Sequence, residues 1–422
     1  MRIDPTSWPV IWIGVVAVLV TLGFGVVPPA LPQFAAHYEL TNAGAGLLLA
    51  GFSGGMFVFS LPGGLIADRI GLRLTAYLGC AFAFVGAAVG ITLPGFWILV
   101  ASQALQGAGS TLYMTAGLAA IVARTDEERI GRTTTTFQGV NVIGMAFAPL
   151  VGGVSVALLG LRGPFIASAV AAIVGFVITI AVVKDTERSV EDTADTTTTP
   201  ASKRALIVAF LKNRAAILAL VMSFIAYVAI GGGRSTLLPL FGDAGLGMSP
   251  VAIGWLLSIA LVGSVIVVPH AGRSIDHGRR RVAIASIVLF AIAMVLAGFS
   301  TAAWMLLVAS LITGMAKGYS AAAPVAIITD VADKRIFGSV IGFQRTAASL
   351  GLVVGPYLAG LLADLWGFRA AFLAIAAILA VTAAALGTMP ETLHSRTAPS
   401  PRADDSGNGE STIDESGDAA PA

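Results

Sequence analysis

The chain has 422 residues, 56% of them hydrophobic and only 11% charged, with a mean hydropathy of +0.88. Soluble domains carry about 25% charged residues, so this composition excludes an ordinary soluble enzyme and implies a polytopic membrane protein. The formal net charge of +2 offers no bulk attraction to nucleic acid. A single cysteine, Cys80, excludes an intrachain disulfide and any cysteine-built metal site.

The first residues, MRIDPTSWPV, carry one Arg and run into a long apolar stretch without a cleavage signal, which reads as a first spanning helix. About 20 apolar residues cross a bilayer core. On that ruler the first half holds helices over 8–31, 41–66, 74–92, 96–122, 134–158 and 164–183. The second half holds helices over 215–239, 250–272, 282–299, 303–328, 339–364 and 370–389. The expected organisation is an N-terminal six-helix bundle over 1–183, a polar Thr-rich cytoplasmic linker over 184–214, a C-terminal six-helix bundle over 215–392 and an acidic low-complexity tail over 393–422, for which disorder is expected.

Lys and Arg set orientation, because positive loops stay cytoplasmic. With the N-terminus inside, twenty of the 25 Lys and Arg fall on the cytoplasmic side and only Arg162 and Arg369 fall outside. Both termini are therefore expected in the cytoplasm. Arg234, Lys317 and Arg345 fall within helices.

Between the second and third helices lies Pro62–Arg73, PGGLIADRIGLR, in which Gly64, Asp68, Arg69, Gly71 and Arg73 make a tight charged turn. It recurs as Pro269–Arg281, PHAGRSIDHGRRR, where Gly272, Asp276 and Arg280 occupy matching places. Such a turn between spanning helices must lie at a membrane face. The pair of turns resembles the G-x-L-x-D-R-x-G-R-[RK] motif of the major facilitator superfamily of secondary transporters, with Ile66 for Leu and Leu72 for the first Arg. That resemblance implies an all-α fold of two six-helix bundles related by a parallel internal repeat, a site near the bilayer midplane and alternating access. It also implies a gating role for these residues, with Asp68 meeting the start of the eleventh helix near Phe337–Phe343. The repeat extends further at an offset of 206–208 residues. Leu31-Pro32 matches Leu238-Pro239, Phe137-Gln138 matches Phe343-Gln344, and Gly160, Arg162 and Phe165 match Gly367, Arg369 and Phe372.

Charge inside a bilayer is costly, so embedded charge points to function. Arg234 follows the triplet Gly231-Gly232-Gly233, and Lys317 lies mid-way along helix 10. Both read as cavity-lining groups for an anionic or strongly polar substrate, against a structural role in the bundle. Arg345 lies near a helix end and reads as an inner-gate or snorkelling residue. Helical spacing adds Gln103, Gln106, Ser110 and Tyr113 on helix 4, with Ser310, Thr313 and Ser320 matching on helix 10. Gln138 and Asn141 share a face of helix 5, and Tyr227 shares one with Arg234. The expected substrate-binding set is Arg234, Lys317, Gln138, Asn141, Tyr113, Gln106, Ser110 and Tyr227. The competing reading of the polar stripes is hydrogen bonding between helices.

Helix 5 also holds Gly144, Pro149, Gly152 and Gly153, which resemble the antiporter motif G-x-x-x-G-P-x-x-G-G of drug-efflux members, with Ala148 in place of one Gly. The family's efflux members often carry R-x-x-Q-G on helix 4, where this chain has Gln103-x-x-Gln106-Gly107. No Asp or Glu lies deep in a predicted helix, which leaves proton coupling open.

The reading is a secondary transporter, not an enzyme, that moves a small organic molecule across the inner (plasma) membrane, with ion-coupled efflux by antiport favoured. Its partners are the substrate, the lipid bilayer and a coupling ion for which protons are the candidate; the expected state is a monomer without cofactor, metal or nucleic acid. An uptake carrier for an organic anion is the alternative within transport. A transporter-like membrane sensor is the alternative of another class, although linker and tail are short for a signalling module. A membrane hydrolase would need HExxH or paired intramembrane acids, and ATP-driven transport would need G-x-x-x-x-G-K-[ST]; the chain has neither.

Overall fold

A computed structural model of the chain describes residues 8–60, 62–123, 125, 129–182, 200–275 and 278–392. The expected tail, the polar centre of the linker and Asp276 lie outside the described residues. In the first half α1 covers Val10–His37, α2 Asn42–Ser60, α3 Leu72–Ile91, α4 Phe96–Val122, α5 Ile130–Leu159 and α6 Gly163–Val182. In the second, α7 covers Arg214–Leu246, α8 residues 250–275, α9 Arg279–Gly298, α10 Ala303–Val331, α11 residues 337–366 and α12 residues 368–387. The described residues contain helices and no strand. All spans but α4 belong to runs apolar enough to cross a membrane. The polarity of α4 comes from Ser102, Gln103, Gln106 and Ser110, all buried inside the protein and so hidden from lipid.

The internal repeat is visible in the backbone. α5 and α6 reverse at Gly160 (φ +63°), and α11 and α12 reverse at Gly367 (φ +79°), left-handed positions that a side chain rarely adopts. Phe165 and Phe372 follow these turns and are fully buried in their respective bundles. The two leading helices run past their expected ends at 31 and 239. α1 passes through a 3-10 turn at Pro28–Ala30 and resumes as Leu31–His37, while α7 passes through a π-helical turn at Ala229–Leu237 and resumes as Leu238–Leu246. Pro32 and Pro239 sit in the first turn of each resumed segment, where a proline lacking its N–H costs nothing. Within the expected linker, Pro200–Lys212 is helical. The expected second span, 41–66, is divided: Pro62–Ile70 forms a separate short helix, and Gly71 (φ +85°) turns the chain into α3.

The halves meet through α2 against α11 and α5 against α8. At one end these pairs touch backbone to backbone. A Cβ at Gly46 would stand 2.2 Å from the Pro356 carbonyl oxygen, and one at Gly360 would stand 2.2 Å from that of Asn42. In the second pair a Cβ at Gly153 would stand 2.3 Å from the Pro250 oxygen, and one at Gly254 2.7 Å from that of Pro149. Asp364 locks the same end across the halves. Its carboxylate accepts from the Asn42 and Ala43 backbone N–H groups (2.9 and 2.8 Å) and from Asn42 Nδ2 (2.8 Å), and so covers the free N–H groups that open α2.

The other end carries Arg69, Arg73, Arg129, Arg273, Arg279–Arg281 and Arg335, and is the basic end. There Gly54 and Gly64 on one half, and Gly272 and Gly342 on the other, have open space where a Cβ would project. The close contacts between the halves thus lie at the Asp364 end, and Lys317, Gln138 and Arg345 are exposed on the basic side of them, so the structure is closed at the Asp364 end and open at the basic end.

This closure makes two expected outcomes. Gly360→Val should force α2 and α11 apart at the closed end at a cost of about 1–3 kcal/mol, which moves the conformational balance by roughly tenfold. In a Cys80→Ser background, a cysteine placed at Thr313 should then react faster with an impermeant thiol reagent added from the Asp364 end; an unchanged rate would show that this contact does not hold the closed end. Asp364→Ala removes the carboxylate over α2 at about 1 kcal/mol and should shift the same labelling in the same direction but less. A larger shift than that of Gly360→Val would reverse the ranking of carboxylate and glycine contact.

Candidate functional site

A cavity of about 90 Å³ lies between the halves. From the first half it takes Phe24 and Gly25 on α1 and Val142, Met145 and Ala146 on α5. From the second it takes Arg234 and Ser235 on α7, Leu257 and Ser264 on α8, and Thr313 and Lys317 on α10. Among the described residues no acidic side chain lines it. One water occupies about 30 Å³ of liquid, so the space is that of a few waters.

The π-helical turn places Arg234. Gly232 lets α7 come close to α11, since a Cβ there would stand 2.5 Å from the Gly355 oxygen, and a Cβ at Gly233 would meet Met294 of α9. The wider turn aims the guanidinium at α8, where Nη2 donates to the Leu257 carbonyl. Its Nε is buried and has no hydrogen-bond partner among the described residues. Lys317 is exposed to solvent on the cavity wall. α10 reaches this position because it lies almost against α8: a Cβ at Gly314 would stand 1.8 Å from the Ala260 oxygen, and Ser264 Oγ donates to the Gly314 carbonyl at 2.8 Å. The result is two cations, one bound on one side only and one solvated, facing a space without a protein anion.

Arg234 and Lys317 are thus brought together, whereas the polar stripe of α4 is not part of this cavity. Ser110 shares a 2.7 Å hydrogen bond with Thr21 on α1, and Gln106 Nε2 donates to Gln103 Oε1 at 2.8 Å. Tyr113 is fully buried among Ile13, Cys80 and Phe137 inside the first bundle. For these three residues the structure corrects the expectation of a shared cavity face, because the polar side of α4 turns toward α1 and α3. Tyr227 packs on α11, where a Cβ at Gly351 would stand 3.0 Å from its own Cβ. Gln138 is exposed one turn toward the basic end, and Asn141 Nδ2 lies 3.7 Å from Met114 Sδ. Arg345 is exposed on α11. Ser235 and the π-helical turn escape sequence reading, with the Gly triplet before Arg234 as the available signal, whereas Met145 lies on the helix 5 stripe that the spacing points inward.

The antiporter-like residues form packing surfaces. Cβ atoms at Gly144 and Gly152 would collide with Val18 and with the Val26 oxygen on α1, while Gly153 and Pro149 meet α8 as described. The segment therefore joins α5 to its own bundle on one side and to the other bundle on the next. In the charged turn, Gly63 and Ala67 pack toward α4, and Asp68 and Arg69 are exposed. Arg73 donates from Nε to Tyr77 Oη at 2.8 Å. In the second copy Arg279 pairs with Asp330 at 3.0 Å, and Arg280 donates to the Met389 carbonyl at 3.1 Å. At the start of α11, Asp333 accepts from the Arg335 side chain (2.9 and 2.7 Å) and backbone N–H (2.9 Å), which hold its carboxyl down at about 2.

Comparison with known proteins agrees with this architecture. A family model described as Major Facilitator Superfamily matches residues 13–245 and 223–414. The chain is 26% identical over 403 residues to "Multidrug resistance protein MdtG" of Enterobacter lignolyticus (strain SCF1), covering 91% of this chain and 93% of that relative. It is 24% identical over 399 residues to the protein of the same name from Escherichia fergusonii, covering 89% and 93%. Among solved structures it resembles a bacterial homolog of the human lysosomal transporter Spinster in an inward-facing, unoccupied conformation, with TM-score 0.76 and 16% identity over 94% of this chain and 98% of that one. It also resembles the nucleoside transporter NupG, with TM-score 0.74 and 14% identity over 90% and 99%. With two six-helix bundles, the repeated charged turn and a family match along nearly its whole length, the chain belongs to the Major Facilitator Superfamily, and it is a membrane transporter rather than an enzyme.

Proposed function

We propose that the chain exports a small organic molecule bearing an anionic or strongly polar oxygen-rich group. The observation that carries this reading is the cavity between the halves, where Arg234 and Lys317 stand without an acidic partner. The buried Arg234 guanidinium is stabilised by an arriving anion, and its Nε offers a directed donor, while Lys317 adds a second positive charge. Export is supported by the multidrug resistance relatives and by the antiporter-like segment of α5. On this reading the basic end, which holds most of the positive loop charge, faces the cytoplasm with both termini, and the cavity opens to the cytoplasm. The halves rock about the site as a monomer, with 1–183 and 215–392 as the moving units. Lys317 is also the one cavity-lining group able to exchange a proton, since Arg keeps its charge.

Flux in proteoliposomes, with and without an imposed pH gradient, tests this. Lys317→Ala and Arg234→Ala should each lower transport of an anionic substrate by about tenfold or more, the scale of a charge-assisted hydrogen bond, while both variants remain folded. Lys317→Arg should keep binding and lose dependence on the pH gradient. Transport of an organic cation that survives in both Ala variants would overturn the charged-site reading, and accumulation only in the direction of uptake would overturn export.

The charged turn serves as the gate on this reading: when the basic end closes, Asp68 meets the start of α11. A carboxylate at a helix N-terminus is worth about 0.3–1 kcal/mol, so Asp68→Asn should lower turnover by up to roughly fivefold with apparent substrate affinity little changed. Wild-type turnover in that variant would refute the gate.

A further inference from the structure

A second pocket lies away from the central cavity, at the basic end of the second bundle. It has a volume of about 480 Å³, within the usual range of roughly 300–1,000 Å³ for ligand sites. α8 and α9 both pack along α10, so a groove remains between them with α10 as its floor. His270, Arg273 and Ser274 come from α8, Arg281 from α9 and Tyr319 from the floor. Among the described residues no acidic side chain lines it.

The side chains are arranged as a polar pocket rather than a loose charged surface. Tyr319 Oη and His270 Nδ1 are 2.8 Å apart, and Ser274 Oγ lies 3.2 Å from the same nitrogen. Of the three successive arginines that open α9, Arg279 is held by Asp330 and Arg280 by the Met389 carbonyl. Glu391 accepts from the backbone N–H groups of Arg279 and Arg280. Arg281 is the one turned to the pocket, and it is exposed.

Towards the membrane centre the walls of the groove become apolar. On α8, Ile266 and Val262 lie one and two turns beyond His270 on the same face, 61% and 50% exposed. On α9, Ala285, Val288 and Ile292 continue the face begun by Arg281, with Val288 38% and Ile292 48% exposed. Cationic donors at the membrane face followed by an apolar channel match a phosphate headgroup followed by an acyl chain. A free phosphate would use only the upper part.

We propose that this groove binds an anionic phospholipid, its phosphate between Arg281, Arg273 and the His270–Tyr319 pair and one acyl chain along Ile266, Val262, Val288 and Ile292. The lipid would sit beside Gly272 and Arg280, in the second copy of the charged turn, where the basic end must move to close.

Native mass spectrometry of the full-length protein in mild detergent tests this with phosphatidylglycerol, phosphatidylcholine of the same chains, and inorganic phosphate as probes. The wild type should retain one phosphatidylglycerol in preference to phosphatidylcholine. Arg281→Gln should weaken that preference about fivefold, and Arg273→Gln with Arg281→Gln should abolish it. Ala285→Trp leaves every charge in place and fills the groove from a lipid-exposed position, and it should also lose the bound lipid. Arg369→Gln, at the opposite end, should retain it. Equal binding of the two lipids by the wild type, a preference that survives Ala285→Trp, or full displacement of the lipid by millimolar phosphate would each overturn the proposal.

Discussion

Two bundles in a bilayer have no hydrophobic force to press them together, because lipid is as apolar as their own surfaces. What remains is close packing, and here it depends on backbone meeting backbone. Gly46 and Gly360 bring α2 onto α11, and Gly153 and Gly254 bring α5 onto α8, at distances that admit no side chain. All four contacts lie at one end, and Asp364 adds a carboxylate across the same seam. At the basic end Gly54, Gly64, Gly272 and Gly342 make no such contact. This imbalance fixes which end is open, and through it the solvent access of Lys317 and Gln138.

The internal repeat builds the scaffold symmetrically and the chemistry asymmetrically. Both leading helices break at equivalent places, and both halves reverse at a left-handed glycine. The position matching Lys317 in the first half is Ser110, which is turned inward to Thr21. The first half accordingly meets the cavity with Phe24, Val142 and Met145, and the second half supplies both cations. A ligand that bridges them would have a charged part on one bundle and an apolar part on the other, and so would sense their relative movement.

The α5 segment around Pro149 has a direct physical reading. Its glycines allow α5 to lie against α1 and α8 at once, which places the segment beside the cavity and across the seam between the halves. Changes at the seam and at the cavity wall are therefore mechanically linked through one helix.

Much of the fold was legible in the sequence because the bilayer allows few solutions. Apolar runs of spanning length must be helices, so the helices and their twofold repeat could be read off hydropathy, Gly160 and Gly367. Arg234 and Lys317 were legible as a pair because charge in an apolar run needs a reason. Which face of each helix meets the cavity was not legible. The stripe of Gln106, Ser110 and Tyr113 had the same spacing as a cavity wall, but a polar face buried against a neighbouring helix and one facing a channel have the same period. Nor could the sequence show that the Gly triplet of α7 widens into a π-helical turn, that Asp364 covers the start of α2, or which end is closed. Those features come from contacts between residues far apart in the chain, and only the packed tertiary structure decides them.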